Sequence, residues 1–130
     1  MLTDLLVLSN NAQVWNFYHG ELEKIEFTPR EVLYRALELL SNGEGYALLA
    51  HPIAGNARLL RNPFRTLILG KGNRGRGTSI TLEQQMAFIV RSLDKMEDID
   101  YGEIPSNTYQ DYATVDYELF KTTLESLINE

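Results

Sequence analysis

Hydrophobic positions fall into a regular series of short blocks along the chain. Leu5 to Ser9 form a continuous apolar run, the pattern of a strand buried on both faces. It stops at Asn10-Asn11, a pair suited to a turn or a helix N-cap. Residues 12–18 predict a short helix around Trp15, and Glu23 to Phe27 alternate polar and apolar as a second strand would. Thr28-Pro29-Arg30-Glu31 then combines an N-cap, a proline at the first helical position and a capping-box glutamate. Phe27 and Val32 are spaced for a hydrophobic staple. Leu33, Ala36, Leu37 and Leu40 supply the core face of that helix, and Gly43 closes it.

Tyr46 to Ala50 predict a third strand, stopped by His51-Pro52 because the residue before proline is pushed towards extended backbone. Residues 53–63 read as a loop and Phe64 to Leu69 as a fourth strand. A helix is predicted over 81–96, with Thr81 and Gln84 as capping box and Leu82, Met86, Ile89, Val90 and Leu93 inward. After a connection around Pro105, a last helix is predicted over 109–129 with Ala113, Tyr117, Phe120, Leu124 and Leu127 on one face. Tyr101, Tyr109, Tyr112 and Tyr117 either line its underside or form an interaction surface. Alternating strands and helices predict an α/β fold: a small single-domain sheet of about four strands, at least partly parallel, with three main helices packed on it. The pattern leaves strand order open. It shows no internal repeat or linker, so residues 1–130 read as one domain.

Composition narrows the environment. There is no cysteine, so disulfides, thiolate zinc sites and a cysteine nucleophile are excluded. The N-terminus lacks the basic and long apolar regions of a signal peptide, and no apolar run approaches the roughly 20 residues needed to span a bilayer. The expectation is a cytoplasmic protein without membrane association.

Net charge is −6 but unevenly spread. Between Gly45 and Leu82 there is no acid, while Arg58, Arg61, Arg65, Lys71, Arg74 and Arg76 all lie there. Such a segment attracts a small anion that the rest of the chain repels, unless its cations are simply solvated or pair with the acidic C-terminal part. An overall pI near 4.9 argues against a nucleic acid partner.

Three segments carry candidate chemistry. Gly70-Lys71-Gly72-Asn73-Arg74-Gly75 has the spacing of a dinucleotide-binding loop but lacks a convincing second strand bearing an acid. Gly72 to Gly77 has a P-loop's first spacing, with Thr78 where lysine is required. A flexible surface loop, or looser anion binding, fits both facts. No cofactor is expected, and with His19 and His51 the only histidines, no metal.

His51 stands at the carboxyl end of a predicted strand, the edge where open α/β sheets bind ligands. There it serves either as general acid or base, or as an anion donor, or merely bonds a backbone carbonyl. Pro52, Gly55 and Asn56 shape the turn that follows it, and Arg58 and Arg65 are positioned in sequence to hold a carboxylate or phosphate. Asn10 and Asn11, at another strand end, either read a ligand or cap a helix.

The run Leu48-Leu49-Ala50-His51-Pro52-Ile53-Ala54-Gly55-Asn56, continuing to Asn62-Pro63-Phe64-Arg65-Thr66, resembles the central motif of the GrdX family. His51, Pro52, Gly55, Arg58, Pro63, Phe64, Arg65 and Thr66 occupy its places, and Asn10-Asn11 resembles the family's early Thr-Asn-Asn. The chain departs from the pattern at Leu59-Leu60-Arg61, and the resemblance covers about residues 5–70. It implies an accessory protein of the kind encoded with glycine reductase, rather than a known catalyst. The site so assembled comprises Asn10, Asn11, His51, Pro52, Gly55, Asn56, Arg58, Pro63 and Arg65. Three functions stay open: a small-anion-binding accessory protein, an enzyme using His51, and an interaction protein with a protein partner or second copy.

Overall fold

The apolar run predicted as the first strand is β1 (Leu5–Ser9), and it has a neighbour on each side in the sheet. The computed structural model describes residues 4–50, 61–72, 81–102 and 104–128. Its sheet has the order β2-β1-β4-β3, where β2 is Glu21–Lys24, β3 Ala47–Ala50 and β4 Thr66–Gly70. β1 and β2 are parallel, and β4 runs antiparallel to both β1 and β3. β1, β2 and β3 therefore point the same way and end on one edge, where β4 begins. The expected mixed α/β sheet is borne out.

Every residue of β1 and β4 is buried, because helices cover both faces. Leu6, Leu8, Leu67 and Leu69 face α2 (Pro29–Ser41) and α3 (Leu82–Met96), meeting Leu33, Ala36, Leu40 and Ile89. Leu5, Val7 and Ile68 face α1 (Ala12–Phe17) and α4 (Ser106–Ile128), meeting Val14, Tyr18, Phe120 and Leu124. Tyr18 and Phe17 both pack edge-on against Phe120.

Helix ends follow their chemistry. Asn11 caps α1 by accepting from the Gln13 N–H. Thr81 and Gln84 form the expected capping box of α3. Gly43, at φ +79°, follows α2 in the left-handed conformation that favours glycine. The Arg30 guanidinium, from α2, donates to the Met96, Glu97 and Ile99 carbonyls at the end of α3 and sits over the Tyr101 ring.

Six expectations shift. β2 is Glu21–Lys24 rather than 23–27, and β4 starts at Thr66 rather than Phe64, because β1 ends at Ser9 and offers no longer ladder. Thr28 makes no side-chain cap; its hydroxyl donates to Glu31 instead. Phe27 is 72% exposed, so it does not form the staple. In α3 the fully buried residues are Gln85, Ile89 and Met96, and Met86 and Leu93 pack against the core as expected, but Leu82 and Val90 are exposed; Gln85 accepts from the Leu48 N–H of β3. The last helix starts at Ser106, directly after Pro105, and its buried row includes Asp116.

These two layers predict a sharp contrast between two phenylalanines. Phe120→Ala should lose about 3–5 kcal/mol of stability in urea unfolding, as truncation of a fully buried aromatic leaves a cavity. Phe27→Ala should stay within about 0.5 kcal/mol of the parent. Equal losses would contradict this packing.

Candidate functional site

The edge where β1, β2 and β3 end is closed by polar groups rather than by solvent. Asn10, Asn11, Asn62, Arg65, Thr66 and Asp116 are all buried there, together with Ser9. Buried backbone and side-chain polar groups need partners, and the residue types at these positions supply them.

The Asn10 amide ties three segments. Its Nδ2 donates to the Phe27 carbonyl at 2.9 Å and the Pro63 carbonyl at 2.8 Å, while its Oδ1 accepts from the Arg65 N–H at 2.7 Å. The Asn11 Nδ2 donates to the Ala113 carbonyl and to Asp116 Oδ2, joining β1 to α4. Neither amide has an N–H to spare for a ligand. Asn62 holds the approach to β4 in the same manner, donating to the Tyr112 carbonyl and accepting from the Phe64 N–H. Phe64 packs edge-on against Tyr109.

Two ionisable groups lie in this edge, one towards each helical layer. Asp116 Oδ2 accepts from Asn11 and from the Thr66 hydroxyl at 2.8 Å, whereas Oδ1 has no partner among the described residues. Burial pushes its carboxyl above the usual range, and the Asn11 and Thr66 hydrogen bonds and the Arg65 charge only partly oppose this.

Arg65 is 1% exposed. Its Nη2 lies 3.9 Å from the Met96 sulfur, a weak acceptor, and its Nε and Nη1 have no hydrogen-bond partner among the described residues. Burial lowers its pKa, against the favourable influence of the Tyr101 hydroxyl and of Asp116. The same burial raises the pKa of the Tyr101 hydroxyl, with Arg65 and Arg30 acting in the opposite direction.

Of the residues singled out in the sequence, the structure brings Asn10, Asn11, Pro63 and Arg65 together. His51, Pro52, Gly55, Asn56 and Arg58 lie outside the described residues, as does the glycine-rich loop from Asn73 onward. Asp116, Tyr101 and Asn62 join the site without having been anticipated. For Asp116 a signal existed: it stands three residues after Ala113 and four before Phe120, on the predicted inner face. Among the described residues no group of three or more acidic or histidine side chains is arranged to hold a metal ion.

The sign of the Asp116 shift fixes a pH dependence. With the folded pKa above the unfolded value, the native state binds more protons between the two. Stability therefore falls as pH rises from about 4 through the raised value and then levels off. Asp116→Asn keeps an acceptor for Asn11 and Thr66 and cannot ionise. In urea titrations its stability relative to the parent should rise over that window. A difference that stays constant with pH would refute the assignment.

A family model described as GrdX-like protein matches residues 6–125, well beyond the motif and through most of α4. No curated protein and no solved structure matches the chain.

Proposed function

The chain belongs to the GrdX-like protein family, and from this premise we propose a cytoplasmic accessory protein that binds a small anion at the carboxyl edge of its sheet, with Arg65 as the group that holds it. One observation carries the reading. Arg65 is a buried cation with Nε and Nη1 unpartnered and no ion pair among the described residues. A buried charge is tolerated only when paired and hydrogen-bonded, and a small oxyanion supplies both the charge and the acceptors. Asp116 forms no ion pair with Arg65, its Oδ2 being held by Asn11 and Thr66.

In this reading Asn10, Asn11 and Pro63 position the edge rather than touch the anion, because their polar atoms hold one another and the flanking backbone. His51, Pro52, Gly55, Asn56 and Arg58 remain candidate contacts on the strength of their place in the chain between β3 and β4. The acid-free stretch from Gly45 to Leu82 favours an anion over a cation there.

Thermal unfolding with inorganic phosphate, and separately with sulfate, tests this. A saturable rise in Tm is expected, equivalent to about 2.7 kcal/mol at 100 times Kd. Arg65→Met should abolish the rise. Without anion, it should unfold at a urea concentration no lower than the parent, since an unpaired buried cation gives way to an apolar side chain of similar length. Absence of stabilisation by either anion, or equal stabilisation of Arg65→Met, would overturn the proposal and direct attention to a protein partner.

A further inference from the structure

A second concave site lies beside this edge, and Arg65 does not line it. Its walls are Arg61, Ile99, Asp100, Ile104, Pro105, Thr108 and Tyr112, and it is a half-open pocket of about 160 Å³. Pockets for drug-sized ligands run to roughly 300–1,000 Å³, so this one takes only a small molecule. One water occupies about 30 Å³ of liquid, which leaves room for roughly five to seven heavy atoms.

The chemistry of the walls is two-signed. Arg61 forms no ion pair or hydrogen bond with a described residue, although Asp100 lines the same cavity. Asp100 spends one oxygen on the Gly102 N–H at 2.9 Å, which fixes its carboxylate while leaving the second oxygen without a partner among the described residues. Ile99, Ile104 and Pro105 bring apolar residues to the same lining, which Thr108 and Tyr112 complete. An arginine and a carboxylate that share a cavity without pairing present separate stations for an anion and a cation.

We infer that this cavity binds a small zwitterionic α-amino acid, with its carboxylate on Arg61, its ammonium on Asp100 and a short side chain against the isoleucines. The two charges of such a molecule sit on one carbon, so both stations are satisfied within the small volume. A simple anion or a simple amine satisfies only one and leaves the other charge facing the ligand. The cavity is independent of the Arg65 site, and the two readings fail separately.

Amide-resolved NMR titration of the full chain with L-alanine tests the inference, with acetate and methylamine as single-charge controls. L-alanine should shift the amides of Ile99, Asp100, Ile104 and Thr108 saturably, whereas either control should leave them in place up to the same concentration. Arg61→Gln and Asp100→Asn should each weaken the response at least about tenfold, the consequence of losing one charge-assisted hydrogen bond. Asp100→Asn keeps an oxygen for the Gly102 N–H, so the connection stays formed. No shift with L-alanine, an equal shift with acetate or methylamine, or undiminished binding by both variants would overturn the assignment. In the Arg65→Met background the L-alanine response should persist.

Discussion

A buried strand end must satisfy its backbone without water, and the carboxyl edge of this sheet is organised around that requirement. β1 is covered on both faces, so the chain leaving it at Ser9 is still inside the protein. Asn10 answers with one amide for three backbone groups, drawn from the approach to α2 and from the segment entering β4. Asn11 caps α1 and reaches across to α4. Ser9, Thr66 and Asp116 extend the chain of bonds, with the two hydroxyls 2.8 Å apart and Ser9 Oγ accepting from the Asn11 N–H. Deleting any member leaves several buried groups unpaired at once, so the edge behaves as one unit.

That unit also brings two charges to places that stability alone would not choose. Side chains alternate across a strand, so Thr66 turns with Ile68 towards α4 and Asp116, while Arg65 turns with Leu67 towards Met96 and Tyr101. Arg65 and Asp116 feel one another through the edge, yet burial dominates for each, and both are pushed towards their neutral forms. An apolar residue at position 65 would avoid this cost. The retained cation is therefore a feature that packing does not account for, in a network whose buried amides and hydroxyls all find partners.

The long amphipathic elements were legible in the amino-acid pattern because burial imposes a period on them. α2, α3 and the apolar β1 emerge within a residue or two of their observed bounds. What escaped is set by partners distant in sequence. The alternation through Ile25 and Phe27 looks like strand, but the ladder stops where β1 stops. The same limit removes Phe64 and Arg65 from β4. Gln85 and Asp116 are polar residues on buried faces, placed there by the Leu48 N–H and by Asn11 and Thr66. Helical spacing can place such a residue on an inner face, as it does Asp116, but only the fold decides which group it meets there. Of the anticipated site, Asn10, Asn11, Pro63 and Arg65 do converge, and the stretch from His51 to Arg58 falls outside the described residues.

A shared motif mixes residues that build a fold with residues that use it, and hydrogen-bond accounting separates them. Asn10, Asn11 and Thr66, together with the Pro63 carbonyl, all belong to the motif-like segments, and each is committed to another part of the chain. Their presence follows from the architecture of the edge and requires no ligand. Arg65 belongs to the same segments and differs in kind, for its backbone is held by Asn10 while its Nε and Nη1 meet no acceptor among the described residues. A buried cation with idle donors has a physical explanation once something anionic enters the site. Among the described motif residues, Arg65 is the one whose side-chain chemistry the fold leaves unused, and that, more than the likeness of the motif, points to function.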